Sequence, residues 1–251
     1  LADVYVDLPL PAGRPGRPHV LANMVQTLDG QAVLRGTAYS IGTDVDHHLL
    51  RQLRSNADAV LSGAGTVRHD DVIITTHRHL QERRAAEGRP RNPLSVVVSA
   101  TCAFSDEVLA AKKFFQRRDL HRLILTTSRA ASGDIARAQA RGVEVEVVDA
   151  DPSGAVDLPA LLRHLHDAHG IRRVLCEGGP TLLTALLRRE LLDELFLTTT
   201  LRLGGDAREP RIISAPVGDA PLHLLSEMHY ADVTGIRELY LRFRVGRAAP
   251  A

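Results

Sequence analysis

Short apolar runs recur along the middle of this chain, and most are followed by a stretch of helical character. That alternation constrains the fold more than any other feature of the sequence. Runs over 59–62, 95–99, 122–126, 143–148 and 173–176 have the length and composition of buried strands, with helices expected near 105–115, 131–141, 157–169 and 180–190 between and after the later ones. Strands joined by helices pair in parallel. The tail is different: 194–203, 222–229 and 237–245 are strand-like with no helical spacer, and the last alternates Leu239, Leu241, Phe243 and Val245 with Glu238, Tyr240, Arg242 and Arg244. Strands that follow one another without helices usually pair antiparallel. The expected fold is therefore α/β, with a mixed, mainly parallel sheet that ends in antiparallel C-terminal strands. Upstream, His19 to Val25 is a further strand candidate ending at the turn Thr27-Leu28-Asp29-Gly30, and Thr43 offers an N-cap to a helix over about 43–56.

A length of 251 residues suits one α/β domain, expected over 19–247 after an extended arm at 1–18, whose stretch from Pro9 to Pro18 is too rich in Pro and Gly for regular structure. The polar stretch from His77 to Asn92 reads as a surface loop or a short exposed helix. Thirty-one basic residues against 30 acidic ones leave a net charge of +1, without the basic face that a nucleic-acid or membrane-surface binder carries. All the basic residues but Lys112 and Lys113 are arginine, so the arginine count by itself carries no functional signal. The two cysteines, Cys102 and Cys176, exclude a disulfide-stapled scaffold and fit a reducing compartment. No apolar run approaches a membrane span, and residues 1–10 lack a basic region before an apolar stretch, so a cytoplasmic protein is expected.

The strongest local signal is Val174-Leu175-Cys176-Glu177-Gly178-Gly179-Pro180-Thr181-Leu182-Leu183, an apolar strand, two glycines, then a helix. Paired glycines let a backbone approach a ligand without a Cβ clash, and the N–H groups opening a helix favour a phosphate. A plain βα turn satisfies the same pattern, but Glu177 stands at a strand's carboxyl end, where open α/β sheets bind ligands. A second glycine turn, Gly63-Ala64-Gly65-Thr66-Val67-Arg68, begins like a dinucleotide fingerprint but carries Arg68 where the third glycine belongs. No G-x-x-x-x-G-K-[ST] loop exists. Twelve histidines include His77/His79 and His164/His166/His169; along a helix only 166 and 169 are adjacent, no H-E-x-x-H or matching carboxylate accompanies them, and no metal is expected. Apolar flanks make Cys176 a core residue rather than a nucleophile.

Taken in order, Asn23-x4-Leu28-Asp29-Gly30, Gly63-x-Gly65-Thr66-Val67-x-x-Asp70-Asp71, Glu177-Gly178-Gly179-Pro180-Thr181-Leu182-Leu183, Leu192-Asp193-Glu194-Leu195 and Gly204-Gly205 resemble the pyrimidine-reductase family of riboflavin biosynthesis. The likeness runs from about residue 18 to 245 and is greatest to stand-alone reductases, the relatives of the C-terminal domain of the bifunctional deaminase-reductases. It implies a dihydrofolate reductase-like three-layer fold, a homodimer, and NADPH-dependent reduction of a phosphorylated ribosylaminopyrimidine to its ribitylamino form by hydride transfer to C1′. The ligands of the zinc deaminase domain are not found in the 251 residues, so only the reductase half of the bifunctional activity is expected. No nucleic-acid or membrane partner is expected.

Carried over by motif, Thr66, Asp70 and Gly178 to Leu183 (Gly178, Gly179, Pro180, Thr181, Leu182, Leu183) would contact the cofactor, with Arg129 a partner for its 2′-phosphate. Asn23, Arg54, Ile74 and His77 would line the substrate, and Asp29 and Glu177 are the catalytic candidates. Asp29 and Arg54 also have structural uses, closing a turn and capping a helix end. Two segments depart from the family. Its usual Asp-Asp-Pro followed by Leu-Thr-Val is here Asp70-Asp71-Val72-Ile73-Ile74-Thr75-Thr76-His77, and the Asp-Ser pair after the third strand is Ser99-Ala100. These departures leave room for a same-fold reductase of a pterin, dihydrofolate or specialised metabolite. A non-catalytic nucleotide-binding protein is the alternative from another class.

Overall fold

The computed structural model describes residues 3–206 and 208–246. Residues 1–2, where the expected arm begins, and 247, where the expected domain ends, lie outside the described residues. The elements in chain order are β1 His19–Thr27, α1 Asp44–Asn56, β2 Ala59–Gly63, α2 Ala64–His69, α3 Arg78–Ala86, β3 Leu94–Val98, α4 Asp106–Ala111, α5 Lys113–Gln116, β4 Arg122–Thr126, α6 Ser132–Gln139, β5 Glu144–Val147, α7 Leu158–His169, β6 Arg173–Cys176, α8 Pro180–Arg188, β7 Glu194–Thr200, β8 Leu222–Asp232 and β9 Gly235–Val245. They form two compact units, a parallel one of residues 3–19 and 51–175 and a mixed one drawn from 20–50 and the chain after 175. No helix among the described residues is long and apolar enough to cross a membrane.

In the parallel unit the strand order is β5-β4-β3-β2-β6. β2 pairs with β3, β3 with β4 and β4 with β5, all parallel, as the alternation of strand and helix implies. All of β4 and most of β2 and β3 are buried, which is why they read as continuous apolar runs rather than alternating ones. One side of the core is aromatic: Phe115 meets Phe104 and Phe114 edge to face, with ring centroids 5.0 and 5.1 Å apart.

Three expectations are modified here, each because a tertiary partner competes with local propensity. The helix expected over 105–115 is two pieces, α4 and α5, broken at Lys112. The Asp71 carboxylate accepts the Lys113 N–H at 2.8 Å, and Lys112 Nζ donates to the His69 carbonyl, so a distant segment caps a new helix start. Within 77–92 the chain forms α3, whose Leu80 and Arg84 are buried rather than exposed. The N-terminal segment has no helix or strand but is packed. Tyr5 and Leu10 are buried, Gln52 Oε1 accepts the Tyr5 N–H, and Asn56 Nδ2 donates to the Tyr5 carbonyl. Those two amides are themselves buried and need such partners.

In the mixed unit the order is β1-β7-β9-β8, with β1 and β7 parallel and β9 antiparallel to both β7 and β8. The expected change from parallel to antiparallel strands therefore occurs at the tail. At the start of β9 the polar face, not the apolar one, is the buried one. Glu238 and Tyr240 are buried, whereas Leu239, Leu241, Phe243 and Val245 are only half-buried. On β8, Leu222, Leu224 and Leu225 are exposed.

Candidate functional site

Level strand ends create the setting in the parallel unit. Gly63 is in register with Val98, and Val98 with Leu125, so the segments leaving β2, β3 and β4 emerge along one edge. From β2 the chain turns directly into α2, which carries Thr66, and its C-cap Asp70 donates its N–H to the Thr66 carbonyl at 2.7 Å. Both side chains are half-buried. Arg68 leans away to donate to the Ala103 carbonyl at 2.8 Å and lies over the Phe104 ring, so the arginine that breaks the glycine fingerprint packs on the core. The segments after β3 and β4 are tied together by the Thr127 hydroxyl donating to the Ala100 carbonyl. Arg129 is exposed; its N–H donates to Thr127 Oγ1 and its Nη1 to the Gly154 carbonyl at 3.2 Å.

Arg54 lies in the last turn of α1 and is buried. Its Nη1 donates to the carbonyls of Ile73 and Thr75, at 3.0 and 3.1 Å, and Asn92 Oδ1 accepts the Thr76 N–H, so the segment that departs from the family is clamped at both ends. Ile74, expected to line the substrate, is buried with 1% exposure. His77 is half-buried at the N-cap of α3, its ring stacked on that of His79.

The mixed unit holds the second group. Glu177, half-buried, follows Cys176, and Gly179 and Pro180 start α8. The Gly178–Gly179 peptide is cis. Gly178 has φ +99°, a conformation side chains rarely adopt, and its back faces Met24, the neighbour of half-buried Asn23 on β1. The N–H groups of Leu182 and Leu183 turn back onto the Gly179 carbonyl; both leucines are buried, while Thr181 is exposed. Burial pushes the Cys176 thiol up to about 12 and that of Cys102 up to about 11, so neither is a thiolate nucleophile.

Asp29 closes the turn after β1. It accepts the Gly204 N–H at 3.0 Å, the Thr27 hydroxyl at 2.6 Å and the Gly205 N–H at 2.9 Å. Those bonds, the Gly204 one foremost, hold its carboxyl far below the usual carboxylate range. An acid so held stays ionised at neutral pH and does not donate a proton. It holds the 204–205 segment against the turn, where a Cβ on Gly204 would collide with the Gln31 side chain.

Sequence reasoning missed a buried carboxylate network in the same unit. Glu238 accepts the Thr43 N–H at 2.7 Å and the Thr43 hydroxyl at 2.6 Å, and the Tyr240 hydroxyl donates to it as well. Asp46 accepts the Thr198 hydroxyl at 2.6 Å. Burial, only partly offset by Thr198 and reinforced by the Glu238 charge, raises Asp46 to about 7. A recess lined by Ile41, Thr43, Thr200, Arg202, Arg237 and Glu238 opens beside this network. Its signal was available: Asp46 lies three and four residues before Leu49 and Leu50, on the apolar stripe of α1 rather than only in a dipole-favoured first turn.

The model of the RibD C-terminal domain family matches residues 18–234. A 2,5-diamino-6-ribosylamino-4(3H)-pyrimidinone 5′-phosphate reductase of Archaeoglobus fulgidus is 34% identical over 181 residues, covering 71% of this chain and 78% of that protein. The protein of the same name from Methanothermobacter thermautotrophicus is 31% identical over 76% of this chain and 82% of its own length. Among solved structures, a pyrimidine reductase-like protein from Corynebacterium diphtheriae superimposes with a TM-score of 0.78 at 25% identity, covering 98% of this chain and 99% of that one.

Proposed function

The chain belongs to the RibD C-terminal domain family, and on that premise we propose that it is an NADPH-dependent reductase of a phosphorylated ribosylaminopyrimidine, converting the ribosylamino to the ribitylamino group. The observation that carries this reading is the turn after β6. A glycine at φ +99° and a proline-started helix present backbone rather than side chain at a strand's carboxyl end, and this suits a dinucleotide pyrophosphate. When bound, NADPH supplies the hydride that reduces C1′ of the opened sugar.

The protein's own work is then positioning and proton handling. By family motif, Gly178 to Leu183 are assigned to the pyrophosphate, Thr66 and Asp70 to the cofactor and Arg129 to a 2′-phosphate. Asn23, Arg54, the Ile74 backbone and His77 line the substrate. Arg54 donates through Nη1 to the 73–75 carbonyls, so it shapes that wall, and its positive charge suits a substrate phosphate. Of the two acids, ionised Asp29 organises the 204–205 segment, and Glu177 is the group placed to move a proton. The half-buried apolar face of β9 and the exposed leucines of β8 supply the surface for a homodimer. The compartment is the cytoplasm.

Fluorescence titration with NADPH should saturate, and bound NADPH should be oxidised on adding the ribosylaminopyrimidine phosphate. Absence of saturable binding sinks the enzyme reading. Turnover with dihydrofolate alone favours the second reading, a same-fold reductase of another heterocycle, which the clamped but divergent 72–76 segment supports. Arg129→Ala should weaken NADPH several-fold more than NADH, and equal losses remove Arg129 from the 2′-phosphate. A single-turnover rate unchanged across pH in Glu177→Gln removes Glu177 from proton transfer.

A further inference from the structure

We propose that Glu146, His164 and His169 form a binding site for one borderline divalent transition-metal ion, of the Zn²⁺, Co²⁺ and Ni²⁺ class, joining β5 to the C-terminal end of α7. The three residues lie in the parallel unit, and one ligand atom from each lies within 4.8 Å of the other two. His164 Nε2 is 2.5 Å and His169 Nε2 is 3.1 Å from the same oxygen, Oε2 of Glu146. Two imidazole nitrogens and a carboxylate oxygen converging on one point are the donor set that tetrahedral zinc takes at about 2.0–2.2 Å, with a fourth position left for water. A small outward adjustment of the three side chains makes room for the ion, which then replaces the two hydrogen bonds.

The sequence pattern pointed to 166 and 169 as the adjacent pair and found no carboxylate. The structure turns His166 to Asp167, with Nδ1 2.6 Å from the carboxylate, and brings Glu146 in from β5, 18 residues before His164. The scaffold holds the arrangement firmly. Asp157 caps the start of α7 by accepting the Ala160 N–H, Gly170 ends it in the left-handed conformation immediately after His169, and Leu158, Leu161, Leu162 and Leu165 bury its inner face. Val145 packs against the core, placing the next residue, Glu146, on the opposite face of β5. Side-chain exposures of 34%, 32% and 18% for Glu146, His164 and His169 leave the group sheltered on the protein side and open to an entering ion. His121 pairs with Glu144, on the same strand as Glu146, a two-residue set that provides a natural control.

The site is independent of the reductase reading, since it draws on none of the residues assigned to cofactor or substrate. The test uses tag-free, chelator-treated protein, with Zn²⁺ followed by calorimetry and Co²⁺ by its visible absorption. The expected result is one equivalent per chain, a strong band of tetrahedral Co²⁺ type and a rise in Tm with Zn²⁺. Affinity should drop at least about tenfold in each of His164→Ala, His169→Ala and Glu146→Gln, and stay unchanged in His121→Ala. Glu146→Gln is nearly isosteric and keeps the test valid if an alanine variant fails to fold. Absence of stoichiometric binding overturns the proposal, as does binding that survives all three substitutions.

Discussion

The two units bury charge in opposite ways. The parallel unit buries cations against backbone: Arg84 donates to the carbonyls of Ser55, Ala57 and Pro90, each at 2.8 Å, and Arg122 to those of Phe114, Leu120, Arg141 and Gly142. The mixed unit buries anions, Asp46 and Glu238 among hydroxyls, with Glu194 paired to Arg242 at 2.7 Å. The difference has a physical consequence. Burial lowers Arg84 to about 10, which still leaves it charged at any ordinary pH, so the loops it holds do not respond to protons. A buried carboxylate raised to about 7 does respond. The buried arginines of one unit thus hold their charge at any ordinary pH, whereas a buried acid of the other exchanges its proton near neutrality.

The largest effect that tests this contrast is expected at Arg84. Arg84→Ala removes a buried guanidinium with its three carbonyl bonds, leaving the Ser55 and Ala57 carbonyls to Arg89 alone and the Pro90 carbonyl without its side-chain donor, and should cost about 3 kcal/mol of unfolding free energy in urea. A loss below about 1 kcal/mol means that Arg89 and water suffice for these carbonyls and that the contrast is overstated. Next comes the pH response of Asp46. Its folded value of about 7 exceeds the ordinary 3.8, so the folded state holds the proton more tightly. The associated stability is fully present below about pH 3.8 and is lost as pH rises through 7. Asp46→Asn should flatten that slope relative to the unaltered protein, and parallel pH curves for the two would refute the assignment.

A smaller effect should separate organisation from stability within the mixed unit. Asp29→Asn keeps the size but cannot accept the same set of bonds from Thr27, Gly204 and Gly205. We expect kcat/KM for the proposed reduction to fall about tenfold with little change in Tm. Unfolding of the variant would instead show Asp29 to be a stability residue. The smallest effect is expected at Arg78, whose pair with Glu82 is exposed on α3, its own side chain 93% accessible. Arg78→Ala should leave the urea midpoint unchanged, in contrast to Arg84 on the same helix.

Much of this was legible in the residues. Strands over 122–126 and 173–176 were read with their observed bounds, because continuous apolar runs between turn signals have few alternatives. The glycine turn after residue 176 was legible too, since adjacent glycines before a proline are poorly tolerated inside a helix or strand and well suited to the junction between them. Three other features were not. Hydropathy assigned β9 an apolar face and a polar face but could not show that Glu238 and Tyr240 would face inward, where Thr43 satisfies the carboxylate. Helical spacing ranked His166 with His169, yet a strand residue chose His164 instead. The packing of the N-terminal segment depended on two buried amides from α1.

The sequence by itself determined most of the elements, their parallel-then-antiparallel order and the family, because each rests on local periodicity, turn chemistry or ordered motifs that act over a few residues. Tertiary structure decided which polar groups are buried, which side of β9 faces inward and which three side chains meet at Glu146. Those outcomes depend on partners 18 to 195 residues away, as in His164 with Glu146 and Thr43 with Glu238. Desolvation and hydrogen bonding are set by what surrounds a group in space, which neighbours along the chain do not specify.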